Sequence, residues 1–102
     1  MSVRWTRTGQ IKNNHVMEAI GWSKEISAWA EKKHHVTVDT WVDVVGSHNT
    51  IRWTVDHPDV ATFDKVMTAV MMDADYWKLI EKATKAELFI DGTGIDTLSK
   101  KM

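Results

Sequence analysis

At 102 residues with a formal charge of −1, from 13 basic against 14 acidic side chains, the chain is sized for one domain over 1–102. It lacks the net field that draws proteins to nucleic acid or anionic membranes. The absence of cysteine removes disulfides, thiolate nucleophiles and zinc–thiolate sites together.

No apolar run of signal-peptide length follows Met1, and no stretch approaches the roughly 20 apolar residues that span a bilayer. A cytoplasmic protein with no membrane and no nucleic-acid partner is therefore expected. Residues 3–12 alternate, with Val3, Trp5, Arg7, Gly9 and Ile11 forming the more apolar side of a strand. Asn13 and Asn14 offer a polar cap, after which Val16, Ala19, Ile20, Ser23, Ile26, Ser27 and Ala30 share one side of a helix running to about Lys33. Trp22 and Trp29 flank that stripe, either widening a core face or meeting another subunit. Lys32, Lys33, His34 and His35 crowd the last turn, where positive charge complements unpaired carbonyls.

Val36–Val45 and Thr50–His57 alternate on either side of Gly46-Ser47-His48-Asn49, which reads as a hairpin. Turning through Ser47-His48 sets Val42 opposite Trp53, Val44 opposite Ile51, Asp43 opposite Arg52, Trp41 opposite Thr54 and Asp39 opposite Asp56. One face then carries Val38, Val42, Val44, Ile51, Trp53 and Val55, and belongs against helices. The other carries Asp39, Trp41, Asp43, Arg52, Thr54 and Asp56.

Pro58 ends the ladder and opens a second helix in which Phe63, Val66, Met67, Val70, Ala74 and Trp77 recur at helical spacing, with Asp73-Ala74-Asp75 as a point of interruption. Trp53 and Trp77 are expected in the core between sheet and second helix. Glu87–Asp91 reads as the last strand, ended by Gly92-Thr93-Gly94, and 95–102 as a tail.

The order is βαββαβ. Two helices cover one face of a four-stranded antiparallel sheet, which leaves Trp41, Val45 and Phe89 exposed among polar groups, more aromatic surface than a small monomer leaves in water. A second copy stacked on that face buries it and encloses a cavity between the two sheets.

The stretches Phe63-Asp64-Lys65-Val66-Met67, Asp73-Ala74-Asp75-Tyr76-Trp77-Lys78-Leu79-Ile80 and Ala86-Glu87-Leu88-Phe89-Ile90-Asp91-Gly92-Thr93, with Thr8-Gly9-Gln10-Ile11-Lys12 at the first strand's exit, resemble the ferredoxin-like dimeric α+β barrel proteins. These include antibiotic-biosynthesis monooxygenase-like, NIPSNAP-like and EthD-like members. The resemblance implies an α+β fold and a homodimer. It leaves activity open among cofactor-independent oxygenases, haem-degrading enzymes, isomerases and decarboxylases, so function rests on the site. The asparagine, tryptophan and histidine of the haem-degrading members find no matching positions here, and no cofactor is expected.

Within the inter-sheet cavity, Trp41 is the candidate to stack on a small organic ligand, with Asp43, Arg52 and Thr54 orienting its polar groups. A plain cross-strand ion pair is the simpler account of Asp43 and Arg52. His57, ending the third strand, and Asp39, facing Asp56, are the candidate proton carriers, with His15 next in order. Histidines at i, i+4 spacing are absent, so no metal site is expected. The alternative function is a non-catalytic structural or stress-type interaction dimer.

Overall fold

The computed structural model describes residues 2–46 and 49–102, so the turn expected at Ser47-His48 lies outside the described residues. Its elements are β1 (Val3–Gln10), α1 (Val16–His34), β2 (Asp39–Val42), β3 (Thr50–His57), α2 (Val60–Met71), α3 (Ala74–Lys85) and β4 (Ile95–Lys100). The strands form one antiparallel sheet in the order β2-β3-β1-β4. The expected α+β architecture is present, with three helices among the described residues in place of two.

Alternation along β1 and β3 decides what is buried. Val3 pairs with His57, Trp5 with Val55, Arg7 with Trp53 and Gly9 with Ile51, so these side chains share one face. Ile11, Ile51, Trp53 and Leu88 join Ala19 and Trp22 of α1 and Ala83 of α3 in the core. Trp22, Trp53 and Phe89 meet edge-to-face, with centroids 5.4–6.0 Å apart, an arrangement that aromatic quadrupoles favour.

β2 is shorter than its alternation suggests, and its register differs by two residues. Asp39 faces Thr54, Thr40 faces Trp53, Trp41 faces Arg52 and Val42 faces Ile51. Val44 and Val45 are 84% and 86% exposed, lying in the loop after the ladder instead of opposite Ile51. A shift of two preserves every side chain's face, so Val38 and Val42 still pack toward the core. The expected Asp39–Asp56 pair does not form: Asp56 faces Arg4 across the β1 ladder.

α1 starts at His15 with no side-chain cap bond, because Asn14, expected to cap, takes the left-handed conformation (φ 68°) that asparagine tolerates. Pro58 precedes Asp59, whose Oδ1 accepts from Thr62 N at 2.7 Å and caps α2. Asp73 splits the expected second helix outright: its backbone is extended and its carboxylate accepts from Asp75 N, capping α3. The break resets the helical phase, and Trp77, expected in the core, is 49% exposed with its indole N–H on Met71 O.

The last strand is also displaced. Residues 88–90 do pair with β1's exit, through Lys12 N to Leu88 O and Ile90 N to Gln10 O, but only as an isolated Ile11–Phe89 bridge. Left-handed Glu87 (φ 54°) and Gly92 (φ 77°) bound that segment and prevent a longer ladder. The edge of β1 is taken instead by Ile95–Lys100, read from sequence as a tail.

Candidate functional site

The sheet divides the expected site residues between two surfaces. Asp39, Trp41, Asp43, Arg52 and Thr54 lie on the side without helices. Trp41 is 55% exposed and reaches across β3, its Nε1 donating to Thr54 Oγ1 at 3.0 Å. Arg52 pairs with Asp43 diagonally through Nη1 and Oδ1. Arg4 holds Asp56 in a two-pronged pair at 2.7 and 3.1 Å, which keeps the Asp56 carboxyl below its ordinary range. Asp39 thus faces Thr54 and not a carboxylate across the ladder.

His57 lies on the opposite side, separated from those five residues by the sheet. There a cavity of about 760 Å³ opens between sheet and helices of a single chain. Its floor is Trp5, Arg7, Gly9, Trp53, Val55 and His57, and its roof is Trp22, Ile26, Trp29 and Ala30 of α1, Phe63, Val66, Met67 and Val70 of α2, and Tyr76 and Ile80 of α3. A 102-residue chain has little apolar core to spare, and an empty space there forgoes the dispersion contacts of close packing. Size and aromatic lining match those of small-molecule sites.

Arg7 is the charged side chain on the sheet floor of this cavity, whose rim also carries Lys12, Glu87 and Asp91. Its Nε and Nη2 donate to Asp96 Oδ1 and Oδ2 at 2.7 and 2.8 Å, its Nη1 donates to the Tyr76 hydroxyl at 3.0 Å, and its guanidinium carbon stands 5.2 Å from the Trp5 ring centroid. Hydrogen bonding to Asp96 raises the Arg7 pKa further, and the same bond lowers that of Asp96. The pair stays ionised across the physiological range.

His57 is buried, and its ring meets Phe63 edge-on at 5.6 Å. Burial lowers its pKa from the ordinary imidazole value, against the opposing pull of Asp56, so the neutral ring is favoured. The linkage has a definite sign. Below about pH 6.5 the unfolded imidazole binds a proton that the folded one resists, so stability falls as pH drops through that value. A His57→Gln variant should lose that part of the acid-side decline in urea midpoints; an unchanged pH profile would show that His57 does not titrate differently on folding.

His15 stands at the start of α1 beside Glu18, with Nδ1 and Oε1 3.3 Å apart, and is not among the residues lining the cavity. Among the described residues no three His, Asp or Glu side chains are grouped to hold a metal ion, and no helix is long and apolar enough to cross a membrane.

No protein-family model matches the sequence, and no curated protein matches it. Solved structures do. An uncharacterised NIPSNAP-like domain protein from Burkholderia xenovorans superposes with a TM-score of 0.81 at 9% identity, over 99% of this chain and 85% of that one. A NIPSNAP family protein from Agrobacterium tumefaciens gives 0.78 at 10% identity, over 100% and 94%. The chain has the NIPSNAP-like fold. A candidate antibiotic biosynthesis monooxygenase from Deinococcus radiodurans shares it with a TM-score of 0.70 at 10% identity, over 100% and 93%. At such identities the likeness is one of backbone, and no side-chain role passes across.

The residues of the cavity that sequence reasoning missed are Arg7, Trp29 and Tyr76, together with Asp96, which holds Arg7 from beside it. One signal was available: Arg7 is a lone charge on the otherwise apolar side of the first strand, a position where a cation needs partners or a purpose.

Proposed function

We propose that this protein binds a small planar organic molecule in the helix-side cavity, and that it works as a homodimer through the uncovered sheet face. The single observation behind the first part is the aromatic-walled space of about 760 Å³ with one guanidinium and one neutral imidazole on its floor. In the β1–β3 ladder Arg7 pairs with Trp53 and Val3 with His57, so the two polar groups are separated by roughly 13 Å of strand. A molecule of about three fused rings spans that interval.

The chemistry within reach is proton abstraction. His57 takes a proton from an acidic C–H or O–H, and the cationic Arg7, through Tyr76, stabilises the anion left behind. A carbanion made by C–H abstraction, or by delocalisation of the charge left on O–H abstraction, gives one electron to dioxygen; the carbon radical and superoxide then join in a C–O bond, and the peroxide takes the proton back from His57, which is the course of a cofactor-independent oxygenase-like reaction. A non-catalytic interaction dimer is the second reading, favoured by the engagement of Arg7 with Asp96 and Tyr76. In the dimer, Trp41, Arg52, Asp43, Thr54 and Asp39 form a polar, aromatic contact surface.

The test is calorimetric titration with 9-fluorenone, a flat three-ring ketone, of the native chain and of Val66→Trp, which pushes an indole into the space from α2. Binding to the native chain, weakened about tenfold or more by the substitution, is expected, given that overfilled sites reject their occupants. Equal affinities would place the ligand elsewhere, and no binding to either would remove the planar-ligand reading.

A further inference from the structure

Both cationic side chains that line the cavity already have an acid beside them. Arg7 faces Asp96 directly across the β1–β4 ladder and is held by it through Nε and Nη2, at 2.7 and 2.8 Å. Lys12 Nζ stands 3.5 Å from Glu87 Oε1 at the rim, where Asp91 adds a further negative charge. His57, the remaining base on the lining, is held toward its neutral form by burial.

The Nε–Nη2 edge of a guanidinium is one on which it receives a carboxylate two-pronged. Asp96 occupies that edge with both oxygens, and its Oδ2 also accepts from Trp5 Nε1 at 3.4 Å, so the internal carboxylate is fixed from two sides. Arg7 Nη1 donates to the Tyr76 hydroxyl. Three of the five guanidinium N–H groups are thereby used, and those left over suffice for an uncharged oxygen. A second carboxylate taken there would share one positive charge with Asp96 and leave a negative charge uncompensated against aromatic walls.

We infer that Asp96 sets the charge of what the cavity admits: ligands enter with an uncharged oxygen group at the Arg7 end, such as a ketone, an amide or a phenol, and those that carry a carboxylate there are turned away. The inference rests on the cavity-binding reading and adds to it the charge state of the ligand. Asp96 acts from the edge of the sheet, on a strand that is exposed throughout. The selection concerns the form that arrives from water. A charge raised inside by proton abstraction is spread over the rings and meets the Tyr76 hydroxyl with no hydration shell to shed.

The experiment compares 2-naphthamide with 2-naphthoate, which share their rings and nearly their outline and differ in charge near neutral pH. Neither is larger than 9-fluorenone. In calorimetric titration the native chain should prefer the amide by about tenfold or more, a modest share of the cost of an uncompensated charge in an apolar site. In Asp96→Asn, which keeps the side chain's shape and removes its charge, the naphthoate should gain about tenfold relative to the amide, because Arg7 is left to pair with it. Adding Arg7→Met to Asp96→Asn should cancel that gain. A substitution that merely loosened the sheet edge would move both ligands alike.

A native chain that binds the two compounds equally or favours the naphthoate, a ratio that Asp96→Asn leaves where it was, or a gain that persists without Arg7 would each overturn the role of Asp96 and leave the cavity reading standing. Uptake of 9-fluorenone without uptake of the smaller, uncharged naphthamide would overturn it as well. The comparison within the native chain depends on no variant's folding. Failure of the native chain to bind any of the three compounds would overturn both readings.

Discussion

Trp53→Ala is expected to destabilise the chain by about 3–5 kcal/mol, the range for emptying a large aromatic position in a core. That is a large part of the 5–15 kcal/mol typical of folded domains. Trp53 sits on β3, between β2 and β1, opposite Thr40 on one side and Arg7 on the other. It packs edge-on against Trp22 and Phe89. Its Nε1 donates to Ser23 Oγ at 2.9 Å, and that hydroxyl in turn donates to Ala19 O at 2.7 Å, so the indole also ties the sheet to α1. The vacated volume adjoins an existing hollow and has little to collapse onto it. Urea denaturation measures the loss; a change under about 1 kcal/mol would mean that the aromatic cluster is not what holds α1 to the sheet.

The second large effect concerns assembly. Native protein should sediment at twice the chain mass, and Trp41→Asp as a monomer or an aggregate. Trp41 and Ile95 are the bulky apolar side chains on the uncovered face, 55% and 62% exposed, standing among Arg52, Thr54 and the Arg4–Asp56 pair. A carboxylate in place of the indole removes the anchor, and across a two-fold axis it brings like charges together. An unchanged mass would remove Trp41 from the contact.

Sequence legibility followed chemical contrast. β1, α1 and β3 alternate or cycle in step with their burial, and Val3, Ile11, Ala19, Ile51 and Trp53 are buried as expected. β4 carried no contrast: Ile95 to Lys100 is exposed throughout, so its pairing comes from backbone hydrogen bonds that leave no apolar pattern. Val44 and Val45 imitate a strand by composition and sit in a loop. Trp77 fits one unbroken helix, and the cap at Asp73 turns it away. The cavity is the hardest case, because Trp29, Phe63, Met67 and Tyr76 have the composition and spacing of ordinary core. Whether such side chains meet or stand apart depends on how far the helices lie from the sheet, a distance that helical periodicity does not encode.

β3 is a party wall. Its odd-numbered residues Trp53, Val55 and His57 furnish one room, while its even-numbered residues Arg52, Thr54 and Asp56 furnish the other. Substitutions can redecorate either room without disturbing its neighbour, since adjacent side chains point through opposite sides of the pleat. Adding or deleting one residue is another matter, because every occupant beyond that point would change rooms at once. The strand's composition is thus free to drift on each side separately, and its length is not.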